Sequence, residues 1–314
     1  MAGSDRLEGQ IEDLMAQLKL RAPSLIVTVL GDSIAPHGGN FWIGSMIDLM
    51  APFGLNERLV RTSIFRLTKE NWLSATQVGR RSFYNLTTRG LRRFEEAFHR
   101  VYEMDDSPWD GEWTLAMLDA GATAPEDRER IRRELTWAGF GTASNFVFAH
   151  ATMTPADVRE KLADMDLLDH ALILRSRIEW PTDDEATHAF VRRCWDLDQI
   201  AEQYAEFLET FRPLWHLLRD SGEATPETCF MIRTLLIHEY RRLTLRDPQL
   251  PTELISTDWE GTAARTLSRN IYRHVSPGAE RHIQGCVETM DGPLPSVSAR
   301  FQARFGGLDL ATSL

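Results

Sequence analysis

Residues 56–73 read NERLVRTSIFRLTKENWL, and the spacing of the apolar residues within them decides the fold of this part of the chain. Val60, Ile64 and Leu67 recur at i, i+4 and i+7, which predicts a helix with one buried face. Such a helix suits a DNA groove if its other face is basic and hydroxyl-bearing, because Arg and Lys bind phosphates and guanine edges while Thr and Ser bond to either. A merely solvated amphipathic helix has a similar pattern, so the flanking segments must decide. The opposite face and its flanks carry Arg58, Arg61, Thr62, Ser63, Phe65, Arg66 and Lys69.

Two apolar segments separated by a polar loop precede this helix. The run SLIVTVLGD, residues 24–32, predicts a buried helix that is closed by Gly31 and Asp32, and FWIGSMIDLM, residues 41–50, predicts a second helix. Asn56 is a suitable N-cap for the third. Two helices and a turn before a basic-faced helix are typical of a helix-turn-helix.

A hairpin is predicted directly after the third helix. Residues 74–87, SATQVGRRSFYNLT, alternate in polarity on either side of a turn in which Gly79 permits the tight bend. A charged hairpin tip is usually just solvated, but behind a basic helix it is typical of a winged helix. Arg80 and Arg81 are then placed to reach a phosphate or the minor groove.

The charge of the chain is unevenly distributed. The formal net charge is −11, yet residues 21–100 hold 11 Lys and Arg against 6 Asp and Glu, so this segment carries +5 and the remainder −16. A basic segment attached to an acidic body is the asymmetry expected of a DNA-binding module joined to something else.

The middle of the chain alternates strands and helices. The predicted order is a strand ending at Asp119, a helix over 124–138, a strand over 143–150, a helix over 154–165 and a strand over 170–178. This order predicts a ferredoxin-like α+β domain, whose sheet edge could pair in a dimer. Asp119 could also ligate a metal, but a single carboxylate favours a capping role.

From about residue 182 onward the pattern is helical, and the segment after Pro277 is weakly patterned, which predicts partial disorder. Two clusters of arginines stand out: one lies around residues 240–246, and the other follows one helix face at i, i+4 and i+8. They could bind phosphates of a ligand or form salt bridges with neighbouring acids. The second cluster is Arg265, Arg269 and Arg273.

Motifs for catalysis and metal binding are absent from the sequence. It contains no Walker loop, GxSxG or GxGxxG, and no second His follows His238-Glu239 at the zincin spacing. No apolar run approaches a membrane span, the first residues are too polar for a secretion signal, and three cysteines without a CxxC favour a reducing cytoplasm. We therefore expect a cytoplasmic protein that is not an enzyme and binds no cofactor or metal.

The runs LIVTVLGD, NERLVRTSIFRLTKENWL, GRRSFYNLT and LLIHEYRRLTLRDPQLP, in this order, resemble the PaaX family of repressors of the bacterial phenylacetic acid degradation operon. The resemblance covers about residues 23–272. It implies homodimers that sit on palindromic operators and leave when phenylacetyl-CoA binds, and a middle domain similar to a CRISPR-associated small nuclease subunit. It also carries the family's recognition-helix and wing residues onto Arg58, Arg61, Thr62, Ser63, Arg66, Arg80 and Arg81; Lys69 is added from the helix face.

The resulting interpretation is an α+β protein with an N-terminal winged helix-turn-helix, a central ferredoxin-like domain and a helical C-terminal domain. Its partners are double-stranded operator DNA, an acyl-CoA effector and a second copy of the chain. The alternatives are a same-family repressor for another aryl- or acyl-CoA, a metal-dependent nuclease that uses Asp119 in the middle domain, or a scaffold that does not bind DNA. The candidate effector residues are His238, Tyr240, Arg241, Arg265 and Arg269. The predicted regions are an N-terminal amphipathic arm (1–22), the winged-helix domain (23–104), the ferredoxin-like domain, a candidate dimerisation element (105–181), the helical effector domain (182–276) and a tail (277–314).

Overall fold

The computed structural model describes residues 2–103, 108–121, 123–164, 166–177, 185–220 and 224–308. The chain forms two compact units: residues 1–104, 206–242 and 263–314 make the first, and residues 105–205 and 243–262 make the second. The predicted domain boundaries at 104/105 and 181/182 lie outside the described residues, as does the end of the predicted tail. Helices and small antiparallel sheets together confirm the α+β class.

The first unit begins with two helices, α1 (Ala2–Gln17) and α2 (Ala22–Val29). The prediction that α2 is closed by Gly31 and Asp32 is wrong. A π-helical turn over Leu30–Ile34 and a 3₁₀ turn continue the helical backbone as far as Gly38. Gly31 serves packing instead: a Cβ atom there would lie 2.6 Å from Cδ1 of Phe94.

A three-stranded sheet follows the first two helices. Its strands are β1 (Asn40–Trp42), β2 (Leu73–Val78) and β3 (Arg81–Leu86), in the order β1-β3-β2 and all antiparallel. Residues 41 and 42, predicted as helix, belong to β1, since pairing with β3 buries Phe41 completely beside Tyr84. The helix α3 (Ile43–Met50) starts directly after this strand.

The helix predicted from the apolar spacing forms as α4 (Glu57–Lys69), and the predicted hairpin forms as β2 and β3. Helix α5 (Thr88–Tyr102) follows, with Thr87 as its N-cap. Gly90 allows this helix to approach the chain at Trp72, because a Cβ atom on Gly90 would lie 2.4 Å from the Trp72 carbonyl oxygen. Helix α2 packs against α4.

The second unit has the element order βαββαβ. It contains β4 (Glu112–Leu118), α6 (Pro125–Trp137), β5 (Gly141–Ser144), β6 (Val147–His150), α7 (Pro155–Ala163) and β7 (Ala171–Arg177). The strands form an antiparallel sheet in the order β5-β6-β4-β7. The single strand predicted over 143–150 is therefore wrong: the chain turns there and pairs with itself as β5 and β6.

Apolar side chains pack on both faces of this sheet. One face buries Ala116 and Phe148 with Ile131 of α6 and Val158 of α7. The other face buries Trp113 and Ala149 with residues of α8 (Glu185–Trp195). The sheet is thus covered on one side by the two helices of the βαββαβ unit and, in part, on the other by α8.

Four helices and a short hairpin complete the chain. The apolar spacing over residues 189–210 predicts one helix, but the helix breaks between α8 and α9 (Leu197–Asp220) at Asp196, which adopts a left-handed φ of 50°. Next come α10 (Pro226–Thr244) and α11 (Glu260–Cys286), then β8 (Glu288–Thr289), β9 (Gly292–Pro293) and α12 (Ala299–Gln302).

Residues 278–308 are ordered, although they belong to the segment predicted to be partly disordered; the rest of that segment lies outside the described residues. Helix α11 continues across Pro277 to Cys286, and Phe301, Arg304 and Phe305 are all buried in the first unit. None of the helices that the structure describes is long and apolar enough to cross a membrane.

Candidate nucleic-acid interface

Helix α4 presents one packed face and one exposed basic face. Asn56 caps the helix by accepting a hydrogen bond from the Leu59 backbone N–H at 3.0 Å. Val60 and Ile64 are fully buried, as the apolar spacing predicts. The predicted contact residues on the exposed side are Arg58, Arg61, Thr62, Arg66 and Lys69, together with Phe65.

Ser63 lies on the packed face of α4, apart from the other predicted contact residues. It is only 5% exposed, and its hydroxyl donates to the Leu59 carbonyl at 2.8 Å. Because each helical residue advances by about 100°, Ser63 falls on the side of Val60 and Leu67. A buried hydroxyl with a backbone partner cannot reach a groove, so we leave Ser63 out of the candidate surface.

The cations on the exposed face are available for exchange with phosphate. Arg61 pairs with Glu57 at 2.7 Å and Arg66 pairs with Glu70 at 2.8 Å, both one turn apart and solvent-exposed. Exposed pairs of this kind contribute only about 0–1 kcal/mol, so a phosphate can replace the carboxylate easily. Within the described residues Arg58 forms no ion pair.

The two arginines predicted for the hairpin tip differ in their surroundings. Gly79 has a φ of 60° and occupies the first of the two turn residues, and Arg80 beside it is exposed. Arg81 starts β3, where its guanidinium carbon lies 4.0 Å from the ring centroid of Trp42 and its Nη2 pairs with Glu288. Arg80 is therefore the free cation of this turn, whereas Arg81 is held against the sheet.

Three of the predicted effector residues lie on α10, where His238 and Tyr240 are buried and Arg241 is half-buried. Nδ1 of His238 lies 2.9 Å from the hydroxyl of Thr28, and Nη2 of Arg241 donates to the carbonyl and the hydroxyl of Ser24, both at 2.9 Å. These contacts join α10 to α2. Burial, helped by the charges of Arg241 and Arg242, lowers the pKa of His238 to about 3, so its imidazole is neutral at physiological pH.

Of the five predicted effector residues, Tyr240 and Arg265 share one neighbour. Tyr240 and Arg265 both approach Phe305: the Tyr240 ring centroid is 6.2 Å from that of Phe305, and the Arg265 guanidinium carbon is 5.9 Å from it. Arg265 is half-buried, with Nη2 3.4 Å from the Tyr102 carbonyl oxygen. Arg269 is exposed, one turn further along α11.

A buried ionic cluster in the first unit was not predicted from the sequence. Asp32 accepts hydrogen bonds at Oδ1 from the hydroxyls of Tyr102 (2.6 Å) and Tyr272 (2.9 Å) and from Nη1 of Arg304 (2.9 Å). Nε of Arg233 lies 3.0 Å from Oδ2 of the same carboxylate. Burial raises the pKa of both tyrosines, which keeps their hydroxyls protonated as donors.

The cluster extends from Arg233 to Glu280 and His37. Nη1 of Arg233 donates to Oε1 of Glu280 at 2.6 Å, and Nε2 of His37 lies 3.0 Å from Oε2. Burial alone would raise the pKa of Glu280, but the charge of Arg233 and hydrogen bonds from His37 and Arg233 outweigh it and hold that pKa at about 2. Nδ1 of His37 faces the Pro295 carbonyl at 2.5 Å. The cluster therefore ties the turn after α2 to α10, α11 and the segment behind α11.

In the described part of the chain, no group of three or more His, Cys, Asp or Glu residues could hold a metal ion. Asp119, the candidate metal ligand, follows β4 and accepts a hydrogen bond from the Gly121 backbone N–H at 2.8 Å. This contact is a local turn of the capping type that the sequence favoured.

Three models of one protein family match successive parts of the chain. The family described as PaaX-like protein matches residues 21–90, the PaaX protein central Cas2-like domain matches 106–188, and the PaaX-like protein C-terminal domain matches 195–285. The transcriptional repressor PaaX of Escherichia coli (strain K12) is 37% identical over 309 residues, which cover 97% of this chain and 96% of that protein. Among solved structures, the uncharacterized protein Rv0674 from Mycobacterium tuberculosis matches with a TM-score of 0.49 and 21% identity, over 76% of this chain and 90% of that one. The chain belongs to the PaaX family.

Proposed function

We propose that the protein is a DNA-binding transcriptional repressor of phenylacetate catabolism genes and that α4 reads its operator in the major groove. The observation that carries this proposal is the exposed basic face of α4 on a helix whose other face is buried. The full-length similarity to a transcriptional repressor supports the same function and supports no enzymatic role. A repressor of this kind acts in the cytoplasm, where bacterial DNA is found.

The order of elements around α4 supports a winged helix. Helix α2, strand β1, helices α3 and α4, and strands β2 and β3 follow one another, and the three strands form one sheet. In this arrangement α4 is the recognition helix and the hairpin of β2 and β3 is the wing. Arg58, Arg61, Thr62, Arg66 and Lys69 then divide base and phosphate contacts, and Arg80 contacts the backbone from the wing. Residues 23–104 are the proposed DNA-binding domain, preceded by the arm over 1–22.

A homodimer is supported by the sheet of the second unit. Its βαββαβ order and the strand order β5-β6-β4-β7 fit a ferredoxin-like domain, which we propose spans residues 105–181. Strand β7 is at the edge of the sheet, and its Leu172 is paired in register with Met117. Both side chains are exposed, Leu172 by 60%, and an apolar pair on an edge strand is suited to contact a second copy. Two copies would read a palindromic operator.

The effector we propose is phenylacetyl-CoA, bound by the helical region over 182–276. The exposed Arg269 and Arg273 and the half-buried Arg265 form a row of cations along α11 that suits the phosphates of CoA. His238, Tyr240 and Arg241 would act beneath this row, because their contacts hold α10 against α2 and against Phe305, in the turn after α12. In the described part of the segment over 277–314, Phe305 packs against Tyr240 of α10 and Tyr272 of α11.

Release of DNA follows if the effector favours a second arrangement of these helices. Helix α10 contacts α2 through His238 and Arg241, and α2 packs against α4. A shift of α10 on binding CoA therefore has a direct route to the recognition helix. In a dimer the same shift would change the spacing of the two recognition helices, which an operator of fixed half-site spacing does not tolerate.

The test is a titration of promoter DNA from the genomic neighbourhood of the gene, with and without phenylacetyl-CoA at constant salt. We expect selective binding that the thioester relieves, while free CoA leaves it unchanged. Selective binding that ignores phenylacetyl-CoA would contradict this effector and leave the repressor, and a panel of other aryl- and acyl-CoA thioesters ranked by thermal shift would then identify the effector. Binding without selectivity would contradict the repressor itself.

A further inference from the structure

Phe65 is the most exposed aromatic side chain among the large hydrophobic residues that the structure describes, at 59%. It lies in the middle of α4, on the side away from the buried Val60 and Ile64. An aromatic ring in water on an otherwise well-packed helix gains nothing for folding, because burial of apolar surface is what stabilises the fold. Its position therefore points to a partner that covers it.

Basic residues surround this ring. Arg58, Thr62, Phe65 and Lys69 follow one another at i, i+4, i+7 and i+11, so they form a single row along the exposed side of α4. Lys69 places its Nζ 4.9 Å from the ring centroid of Phe65. An apolar protein partner would have to desolvate these cations, whereas the walls of a DNA groove supply phosphates for them. Charge complementarity thus favours duplex DNA as the occupant.

The floor of the major groove offers one apolar feature to such a ring. Of the groups that the four base pairs present there, all are hydrogen-bond donors or acceptors except the C5-methyl group of thymine, which Phe side chains contact. We propose that Phe65 selects a thymine in each operator half-site by contact with its C5-methyl group. This assignment rests on the proposed function and adds to it an apolar specificity determinant beside the polar ones.

The chain supplies a matched control for this ring. Phe190 on α8 is also an exposed phenylalanine on a helix, 39% exposed, and the guanidinium carbon of Arg193 lies 5.7 Å from its ring centroid. It belongs to the second unit and not to α4. Replacing it removes an exposed phenylalanine that also lies beside a cation, without touching the recognition helix.

The experiment first selects a binding site from random duplex DNA with the wild-type protein, and then replaces each thymine of that site by deoxyuridine, which lacks only the C5-methyl group. For the wild type we expect one thymine per half-site whose replacement weakens binding roughly four-fold, and roughly 15-fold when both symmetry-related positions are replaced. F65A should bind the thymine and uracil duplexes equally, while F190A should keep the wild-type penalty. Thermal unfolding of F65A should match the wild type, because the side chain is exposed.

Two results would overturn the inference. One is a selected site at which no uracil replacement weakens wild-type binding, and the other is an F65A variant with the wild-type penalty. Both leave the repressor in place, because a site was selected. If the wild type selects no site at all, the proposed function fails and this inference fails with it.

Discussion

Nε of Arg233 on α10 lies 3.0 Å from Oδ2 of Asp32, in the π-helical turn after α2, and both side chains are fully buried. Nη1 of Arg304, in the segment after α12, donates a hydrogen bond to Oδ1 of the same carboxylate. Three segments that are far apart in the sequence therefore meet at one charge within the first unit. Any movement of α10 relative to α2 must carry this cluster with it or break it, because Arg233 of α10 and Asp32 after α2 are both part of it.

Asp32→Asn should destabilise the protein strongly. The substitution removes the negative charge that balances Arg233 and Arg304, whichever way the new side-chain amide is oriented. Breaking a buried ion pair in this way costs about 3–5 kcal/mol. Chemical denaturation monitored by circular dichroism measures the free energy of unfolding. The control is Arg242→Ala, which removes the exposed partner of Glu239 (2.8 Å) and should change stability by less than about 1 kcal/mol. A loss below about 1 kcal/mol for Asp32→Asn would show that the cluster does not hold the first unit together.

His238 should make stability depend on pH. Its pKa in the folded protein is about 3, whereas an unfolded histidine titrates near the ordinary value of 6.5, so between these two values the unfolded chain binds a proton that the folded one does not. Stability is then highest above pH 6.5 and falls as the pH is lowered, with a slope of at most about 1.4 kcal/mol per pH unit from this group.

His238→Asn isolates that contribution, because the amide can still donate to Thr28 but does not titrate. Unfolding free energies measured from pH 5 to pH 7.5 should fall less steeply for this variant than for the wild type. Equal slopes would contradict a neutral, buried His238.

Local features of the chain predicted α4 and its hairpin correctly. Val60, Ile64 and Leu67 mark the buried face because helical periodicity is a local signal, and Gly79 marks the turn because few other residues adopt its φ readily. The same periodicity puts Ser63 on the side of Val60 and Leu67, so its assignment to the contact residues was wrong; its hydroxyl bonds a backbone carbonyl instead.

Long-range contacts could not be predicted. The partners of Asp32 come from α5, α10, α11 and the segment after α12, and no spacing rule connects them; the one local signal is an acidic residue at the end of an apolar helix. Asn145 and Phe146 turn the chain between β5 and β6 without glycine or proline, so that hairpin looked like one strand. Asp196 likewise breaks a helical pattern only through its backbone conformation.

Arg80→Ala should weaken binding to all duplexes by a similar factor, because a wing residue that contacts a phosphate carries no base information. The slope of the logarithm of the DNA-association constant against the logarithm of the salt concentration should become shallower by roughly one unit. Titrations at several salt concentrations, on the selected site and on a scrambled duplex, measure both effects. Arg132→Ala, which removes an exposed arginine paired with Glu129 in the second unit, is the control and should change neither. A loss confined to the selected site would instead assign Arg80 to base reading.

Leu172→Glu should disrupt the proposed homodimer. A charge on the edge strand β7 would have to be buried in a dimer contact, which is strongly unfavourable, whereas in the monomer it stays in water. Sedimentation equilibrium should give a dimer for the wild type and a monomer for the variant. Leu91→Glu, at a 44% exposed position of α5, controls for the added charge and should remain dimeric. A dimeric Leu172→Glu protein would exclude this edge as the interface.

The most direct test of the central claim, that the exposed face of α4 reads DNA, is the preference of the protein for its selected site over a scrambled duplex. At physiological salt we predict that the wild type binds the selected site at least about 10³ times more tightly than the scrambled duplex. This ratio of association constants should fall clearly when Arg58 and Arg66 are both replaced by alanine. The exposed positions of both residues leave the fold intact. A wild-type protein that binds both duplexes alike, or a double variant that keeps the full preference, would contradict the claim.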